Sequence, residues 1–312
     1  MSSPRPFRFG VQASGTADRS QWVDLARRSE ALGYDVLTMP DHFTEQLAPV
    51  PALMCAADAT STLRIGALVW DNDYKHPVVL AKELATLDVL SEGRLEIGIG
   101  AGWMISDYEQ SGIPYDPARV RIDRFEEGLE IIKQAMGPQS FSSTGSHYSI
   151  TDYNGMPKPV QAPCPPILIG GGGTRVLGIA ARHADIVGIN ATMHTGVVGA
   201  ETFTTMTAEA VDDKVAIVQA AAGDRFDQIE MNIRAFLVSI TPDRAGAMAM
   251  MAGALGVEIE MIEQTPFALI GPPEALIDDL LARRERWGFS YVIVGEGDVD
   301  AFAPVVAALA GR

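Results

Sequence analysis

The chain predicts an α/β fold, a (β/α)8 TIM barrel with insertion loops at the C-terminal face of its strands. Three observations carry this expectation. Short apolar runs alternate with longer segments of helical period along 312 residues, giving about eight repeats of the strand–helix unit. The runs are continuously apolar, which marks a parallel sheet covered on its outer side. The segment after the first run, Gln12-Ala13-Ser14-Gly15-Thr16, lacks the G-x-G-x-x-G spacing of a doubly wound dinucleotide-binding sheet. Residues 1–312 are read as one domain, since barrels of roughly 250 residues fold as a unit.

Each element has its own signal. Residues 7–11 and 35–39 read as the first two strands, the second stopped by Pro40. Between them, residues 19–32 place Trp22, Leu25, Ala26 and Leu32 at helical spacing, and Gly33 follows as a C-terminal cap. A short helix is expected over 51–60 and a third strand over 63–70. Residues 77–90 open with Pro and are followed by Gly93, the usual asymmetry of a helix. Residues 95–100 are the fourth strand. Residues 101–117 carry Gly, Pro and aromatics without a period, the mark of a functional loop or lid. Helix returns over 120–136, then a hairpin over 139–150 around Thr144-Gly145, then a proline-rich connection over 157–166. The second half continues with strands at 167–169, 186–189, 230–240 and 291–294. Helical patterns occupy 175–183, 204–222, 243–263, 272–287 and 302–309.

Composition excludes several functions. Hydrophobic residues are 47% and charged residues 21%, which argues against disorder. Forty acidic against 24 basic residues give a net charge of −16. Nucleic acids and anionic membranes need a basic footprint, so neither is an expected partner. Cys55 and Cys164 are far apart and match no metal spacing, which points to a reducing, cytoplasmic setting. The first ten residues hold no apolar signal core. The least polar stretch, 245–257, is too short and too rich in Ala, Gly and Met to span a bilayer.

Active sites of such barrels sit just after the strands. Asp41-His42 follows strand two, where a histidine can carry a proton near neutral pH and the adjacent carboxylate can fix its tautomer. Gly98, Gly100 and Gly102, with Trp103, follow strand four. They serve either close approach of a flat ligand to the backbone or tight packing within the protein. Gly170, Gly171, Gly172, Gly173 and Thr174 open a helix after strand five, where free amides form an anion site. The 68–72 segment, Asn190 and Ser239 end other strands and are candidates for the mouth. His76, His147, His183 and His194 have no clustered ligands and are read as structural or surface residues. No His-x-His and no Gly-x-Ser-x-Gly is present, and no metal is expected.

These segments resemble the bacterial-luciferase-like monooxygenase superfamily of flavin- and deazaflavin-dependent oxidoreductases. The resemblance rests on Pro77 through Lys82 and on Leu87-Asp88-Val89-Leu90-Ser91-Glu92-Gly93-Arg94 running into Gly98-Ile99-Gly100-Ala101-Gly102-Trp103. Glu92 stands where the signature has a glycine. Pro40-Asp41-His42-Phe43, Gly112-Ile113-Pro114, residues 170–181 and Gly271-Pro272-Pro273-Glu274 add to it in chain order. The resemblance implies a flavin-type ring in the barrel mouth, set against a non-prolyl cis peptide at Leu68–Val69, with the cofactor phosphate at Gly170 to Thr174. Asp41-His42 and the Gly-x-Gly-x-Gly-Trp form are similar to the deazaflavin branch, so coenzyme F420 is expected, with FMN as the alternative. Asp41 would hold the ring edge and orient His42, and His42 would move the coupled proton. Sugar-phosphate dehydrogenases of that branch carry a Glu where Trp103 stands, which puts a sugar-phosphate substrate in doubt. Asp107 and Glu109 are nearby carboxylates without an assigned place. The implied activity is hydride transfer between F420 and a small organic substrate. The alternatives are an FMN-dependent monooxygenase supplied by a partner reductase and a barrel that only binds such a ligand. A homodimer is implied by the resemblance.

Overall fold

Eight parallel strands close on themselves. The computed structural model describes residues 5–14, 18–193 and 196–312; His194, Gly15 and Thr16 lie outside them. The strands are β1 (Arg8–Gln12), β2 (Val36–Met39), β3 (Arg64–Ala67), β4 (Leu95–Gly100), β5 (Ile167–Gly171), β6 (Ile186–Ile189), β7 (Glu230–Arg234) and β8 (Phe289–Gly295). Their spatial order is β3-β2-β1-β8-β7-β6-β5-β4, and β3 pairs with β4 to close the ring. The expected (β/α)8 barrel is therefore what the chain forms.

The outer layer is α1 (Arg19–Ala31), α2 (Pro49–Ala59), α3 (Pro77–Leu90), α4 (Ala118–Met136), α5 (Thr174–His183), α6 (Ala208–Ala222), α7 (Pro273–Trp287) and α8 (Val299–Leu309). Local chemistry sets their ends. Asp18 caps α1, accepting from the N–H of Ser20 at 2.6 Å. His76 caps α3 and Pro77 is its first residue. Three successive devices end α3: Ser91 as cap, then Glu92 and Gly93 at φ 57° and 81°. Glu92 thus holds a left-handed conformation that a glycine adopts freely.

The barrel has a charged floor and an apolar interior. At the N-terminal ends of the strands, Arg8 donates to Glu96 at 2.5 Å and to Glu230 at 2.6 Å. Arg64 donates to Glu96 at 2.7 Å. Above them Val36, Leu168, Ile186, Tyr291 and Ile293 pack with Leu68 and Val69. This plug fills the barrel, as expected of a core that is not a pore, and leaves the ligand space above it.

Three expectations change. The strand expected over 230–240 stops at Arg234. Ala235 still donates to Ile293, but Phe236 and Leu237 donate to Phe267. Residues Leu237–Ile240 then pair in parallel with Ala268–Gly271 in a separate two-stranded sheet. A continuous apolar run does not reveal a turn onto a second partner, and Ser239 leaves the mouth with it. Residues 101–117 contain a helix, Ile105–Ser111, closed by Gly112 at φ 77°; seven residues are too few to display a period. The helix expected over 204–222 is two, Ala200–Thr204 and Ala208–Ala222, because Thr207 caps the second through the Ala210 N–H.

The expected hairpin forms between Phe141–Thr144 and Ser149–Tyr153. Glu127 of α4 accepts the N–H groups of Ser146, His147 and Tyr148. Cys55 and Cys164 are free thiols. Among the described residues no helix is long and apolar enough to cross a membrane, and no group of three or more His, Cys, Asp or Glu residues is placed to hold a metal.

Candidate functional site

A cavity of about 410 Å³ opens at the C-terminal ends of β2 to β6, within the usual size range of small-molecule sites. Twelve of the residues singled out in the sequence line it: Asp41 and His42 after β2; Leu68 and Val69 after β3; Gly100, Gly102 and Trp103 at and beyond the end of β4; and Gly170, Gly171, Gly172, Gly173 and Thr174 at and beyond the end of β5. Asn190 lines it too, whereas Ser239 does not. Asp71, Arg121 and Arg175 join from positions with weaker sequence signals or none.

The wall between β3 and β4 is built around the cis peptide Leu68–Val69. Gln12 of β1 donates to the Leu68 carbonyl at 2.9 Å, and Arg234 of β7 donates to Gln12 Oε1 at 2.9 Å. The glycines of β4 serve this wall. A Cβ on Gly98 would land on the Ala67 carbonyl, and one on Gly100 would sit 2.8 Å from Val69 Cγ2. Gly102 has φ 73°, and a Cβ there would land on the Tyr108 hydroxyl and the Asp71 carboxylate. Of the two sequence readings, tight packing within the protein is the one these contacts support.

His42 is held from an unexpected direction. Its Nδ1 lies 2.6 Å from Asp107 Oδ2, on the short helix Ile105–Ser111. Asp107 also accepts the Phe43 N–H at 3.3 Å and the Tyr74 hydroxyl at 2.9 Å. The side chain of Asp107 is only 3% exposed. Asp41, expected to orient His42, instead accepts the Asp71 N–H at 3.3 Å. The adjacent carboxylate points along the rim while the distant one reaches the ring. Burial pushes Asp41 above its ordinary range. Burial and the charges of Asp71 and Asp107 hold the Tyr74 hydroxyl well above the phenol range, so it remains a donor. Trp103 stands edge-on to His42, with ring centroids 5.8 Å apart. Glu109 is exposed and away from the cavity lining.

Asp71 is the second buried acid. It accepts the Tyr108 hydroxyl at 3.0 Å and the Asp73 N–H at 2.9 Å. Asp73 has its own cation, Arg124, at 2.8 Å, and Asp71 has none among the described residues. Burial, and then the charges of Asp73 and Asp41, push Asp71 up to about 7 against the pull of its two donors. A carboxyl raised above its unfolded value of about 3.9 stabilises the fold at low pH and loses that contribution as pH rises through its folded value. Asp71→Asn stays neutral throughout. Its unfolding free energy should therefore gain on the native chain by roughly 2 kcal/mol between about pH 5.5 and pH 8.5. Denaturant unfolding at both pH values measures this, and a gap that does not widen means that Asp71 is ionised across the range.

The glycine run that ends β5 and leads into α5 divides in two. A Cβ on Gly172 would land on the Ala191 carbonyl, and one on Gly171 would lie 2.6 Å from Val176 Cγ1. A Cβ on Gly173 would meet nothing within 4 Å. Gly173 caps α5 without a side-chain acceptor. The N–H groups of the first turn have no intrahelical partner and face an anion-compatible end of the dipole. Two cations stand near. Arg175 is paired with Asp123. Arg121, 5% exposed, donates to the carbonyls of Gly102 and Asp116 and forms no carboxylate pair among the described residues. Lys214 fastens the adjacent rim, donating to the carbonyls of Asn190 at 2.8 Å and Thr205 at 2.6 Å; burial lowers it to about 8.

Tyr74 and Arg121 escaped the sequence reading, and Asp107 was named there without a place. Asp107 had a weak signal, a carboxylate in a loop that follows a barrel strand. Arg121 had none.

Known proteins share this architecture. The family described as luciferase-like monooxygenase matches residues 5–291. An FMNH(2)-dependent dimethylsulfone monooxygenase of Pseudomonas putida is 28% identical over 203 residues, 59% of this chain and 56% of that protein. An F420-dependent glucose-6-phosphate dehydrogenase of Amycolatopsis mediterranei is 28% identical over 174 residues, 52% of this chain and 51% of that protein. The chain thus spans about half the length of these curated relatives. Among solved structures, the coenzyme F420 dependent tetrahydromethanopterin reductase of Methanopyrus kandleri superposes with a TM-score of 0.79. It is 18% identical, covering 97% of this chain and 99% of that one. A long-chain alkane monooxygenase superposes with a TM-score of 0.78 at 16% identity, covering 99% and 92%.

Proposed function

The chain belongs to the luciferase-like monooxygenase family, and we propose that within it the protein is an F420-dependent oxidoreductase acting on a small organic substrate. The observation that carries this reading is convergence. A histidine held by a buried carboxylate, a cis-peptide wall and an open helix N-terminus all border one cavity. The residues fit a flavin-type cofactor on two counts. The volume suits a small-molecule site, and the first turn of α5 leaves its amides free beside Gly173, where an added Cβ would meet nothing within 4 Å.

In this reading Leu68 and Val69 support the ring, Asp41 holds its edge, and Gly173 and Thr174 take a phosphate. Gly100, Gly102 and Trp103 close the strand-four side. When bound, the deazaflavin supplies hydride chemistry. The chain's own part is to orient the substrate, exclude water and move a proton at His42 Nε2. With Nδ1 committed to Asp107, Nε2 is the nitrogen left for the cavity. A homodimer and a separate reductase that regenerates the reduced cofactor belong to the same proposal.

A second reading has support from the relatives, which include an FMNH(2)-dependent monooxygenase. There FMN and oxygen replace F420, and the same residues hold the ring.

Titration of the purified protein with F420 and with FMN, followed by fluorescence, separates the two. Micromolar or tighter F420 binding with weak FMN binding supports the first reading, and the reverse preference selects the second. Binding of neither rejects both. The phosphate assignment is tested in the same titration with Thr174→Pro. Gly173 already has the extended backbone, φ −88° and ψ 144°, that a residue before proline needs, and proline is tolerated at the first helical position. The variant therefore removes one amide without breaking α5. Loss of a hydrogen bond to a charged group, about 1.5–3 kcal/mol, should weaken cofactor binding roughly 10- to 100-fold. Unchanged affinity would place the phosphate elsewhere.

A further inference from the structure

We propose that Asp107 is the positioning residue of the site: it holds His42 in the tautomer that turns Nε2 toward the cavity, and Tyr74 holds Asp107 in turn. The inference rests on the proposed oxidoreductase reading for its kinetic consequence, but its structural half stands apart from the cofactor.

Three features make Asp107 more than a packing residue. The first is bond geometry. Its Oδ2 is 2.6 Å from His42 Nδ1, the short separation of a charge-assisted hydrogen bond. A carboxylate accepts only, so the proton on this bond belongs to Nδ1. Nε2 then has a free lone pair in the neutral ring. The second feature is saturation. Asp107 also accepts from the Tyr74 hydroxyl at 2.9 Å and the Phe43 N–H at 3.3 Å. Phe43 directly follows His42, so one carboxylate clamps both the ring and its backbone. The Phe43 and Tyr74 rings stack at 4.5 Å, and Tyr74 meets Tyr108 edge-on at 5.7 Å. These contacts leave the carboxylate little freedom to turn away.

The third feature is origin. Asp107 lies on the short helix after β4, whereas His42 follows β2. The helix is fastened independently of His42. Tyr108, the next residue, donates to Asp71. Arg121 ties Gly102 and Asp116, on either side of the helix, to α4, and Tyr115 donates to the Trp103 carbonyl at 3.1 Å. The carboxylate is thus brought to His42 by a rigid insertion, the arrangement that fixes a histidine's tautomer from outside its own loop. When His42 takes a proton at Nε2, the ring becomes a cation whose charge lies against the Asp107 carboxylate, and the return of that proton restores the neutral ring beside it.

The test uses Asp107→Asn and Tyr74→Phe in the full chain, with two readouts. Nitrogen-15 NMR of His42 in the cofactor-free protein is expected to show a protonated Nδ1 and an unprotonated Nε2. In Asp107→Asn the two nitrogens should move toward mixed tautomers. A native chain with the proton on Nε2, or an Asp107→Asn spectrum identical to the native one, would overturn the proposal whether or not a cofactor binds. For turnover, Asp107→Asn should lower kcat by about 100-fold while KM and cofactor Kd stay within about twofold. Tyr74→Phe, which leaves the His42 bond in place, should lower kcat less than tenfold. Equal loss in kcat and in cofactor affinity would make Asp107 a structural residue. If Asp107→Asn does not fold, the native tautomer and Tyr74→Phe still decide. Absence of cofactor binding by the native chain would reject the oxidoreductase reading and leave the tautomer result standing.

Discussion

His42→Ala is expected to lower kcat by about 10²- to 10⁴-fold and to change cofactor Kd by less than about threefold. Among the described residues His42 is the one histidine that lines the cavity. Its role in the proposed reaction is transfer of a proton at Nε2, an interaction that strengthens on the way to the transition state. Such interactions appear in kcat and in kcat/KM together, while uniform binding appears in KM alone. The cofactor is held in this reading by other residues: the Leu68–Val69 wall and the first turn of α5 do not touch the imidazole in any described hydrogen bond. Stopped-flow turnover and a cofactor titration on the same sample give both numbers. Parallel losses would mean that His42 packs against the cofactor, through its edge-on contact with Trp103, and that the proton moves elsewhere.

The path from sequence to this residue was partly open. The barrel was legible because eight apolar runs and their helices keep to short-range rules: a period, a cap, a proline at a start and a glycine at an end. Asp41-His42 was legible because a strand end in a barrel points to the mouth. The partner of His42 was not. Asp41 is adjacent in sequence and chemically plausible, yet Asp107, sixty-five residues on, makes the bond. That contact depends on where a seven-residue helix settles, and a helix this short is fixed by tertiary packing rather than by its own sequence. The break of the seventh strand has the same cause. Residues 230–240 are uniformly suited to strand, and only the competing partner at Ala268–Gly271 pulls the second half away. Arg121 shows the limit most plainly. Nothing in a helical arginine announces that its guanidinium will be buried against the carbonyls of a loop that precedes it.

Signals that were seen could still carry the wrong cause. The glycines before Trp103 and those after β5 look alike in sequence, as small residues beside a ligand. Their neighbours differ.

The second large effect follows from that difference. Gly98→Ala should destabilise the protein by about 2–3 kcal/mol or more, while Gly173→Ala should cost about 1 kcal/mol or less. A Cβ on Gly98 would lie 2.0 Å from the Ala67 carbonyl oxygen. That oxygen is backbone, one residue before the cis peptide, and no side-chain rotation can relieve the clash. Either β3 or β4 must shift, and both are members of a closed ring in which β3 pairs with β4 through Ile65 and Gly66. A closed barrel distributes such a displacement to its neighbours, because packed interiors are not freely deformable. At Gly173 a methyl group would meet open space, and the backbone there is already extended. Its cost is limited to a weaker helix cap. Thermal unfolding of the two variants reads the contrast: for a chain of this size 1 kcal/mol corresponds to roughly 2 °C, so Gly98→Ala should melt about 5 °C lower or more. Equal melting temperatures would refute the packing account of the strand-four glycines and return them to the ligand. If instead Gly173→Ala folds normally and Gly98→Ala does not, the glycines of β4 exist chiefly to shape the wall, and Gly173 to leave the start of α5 open.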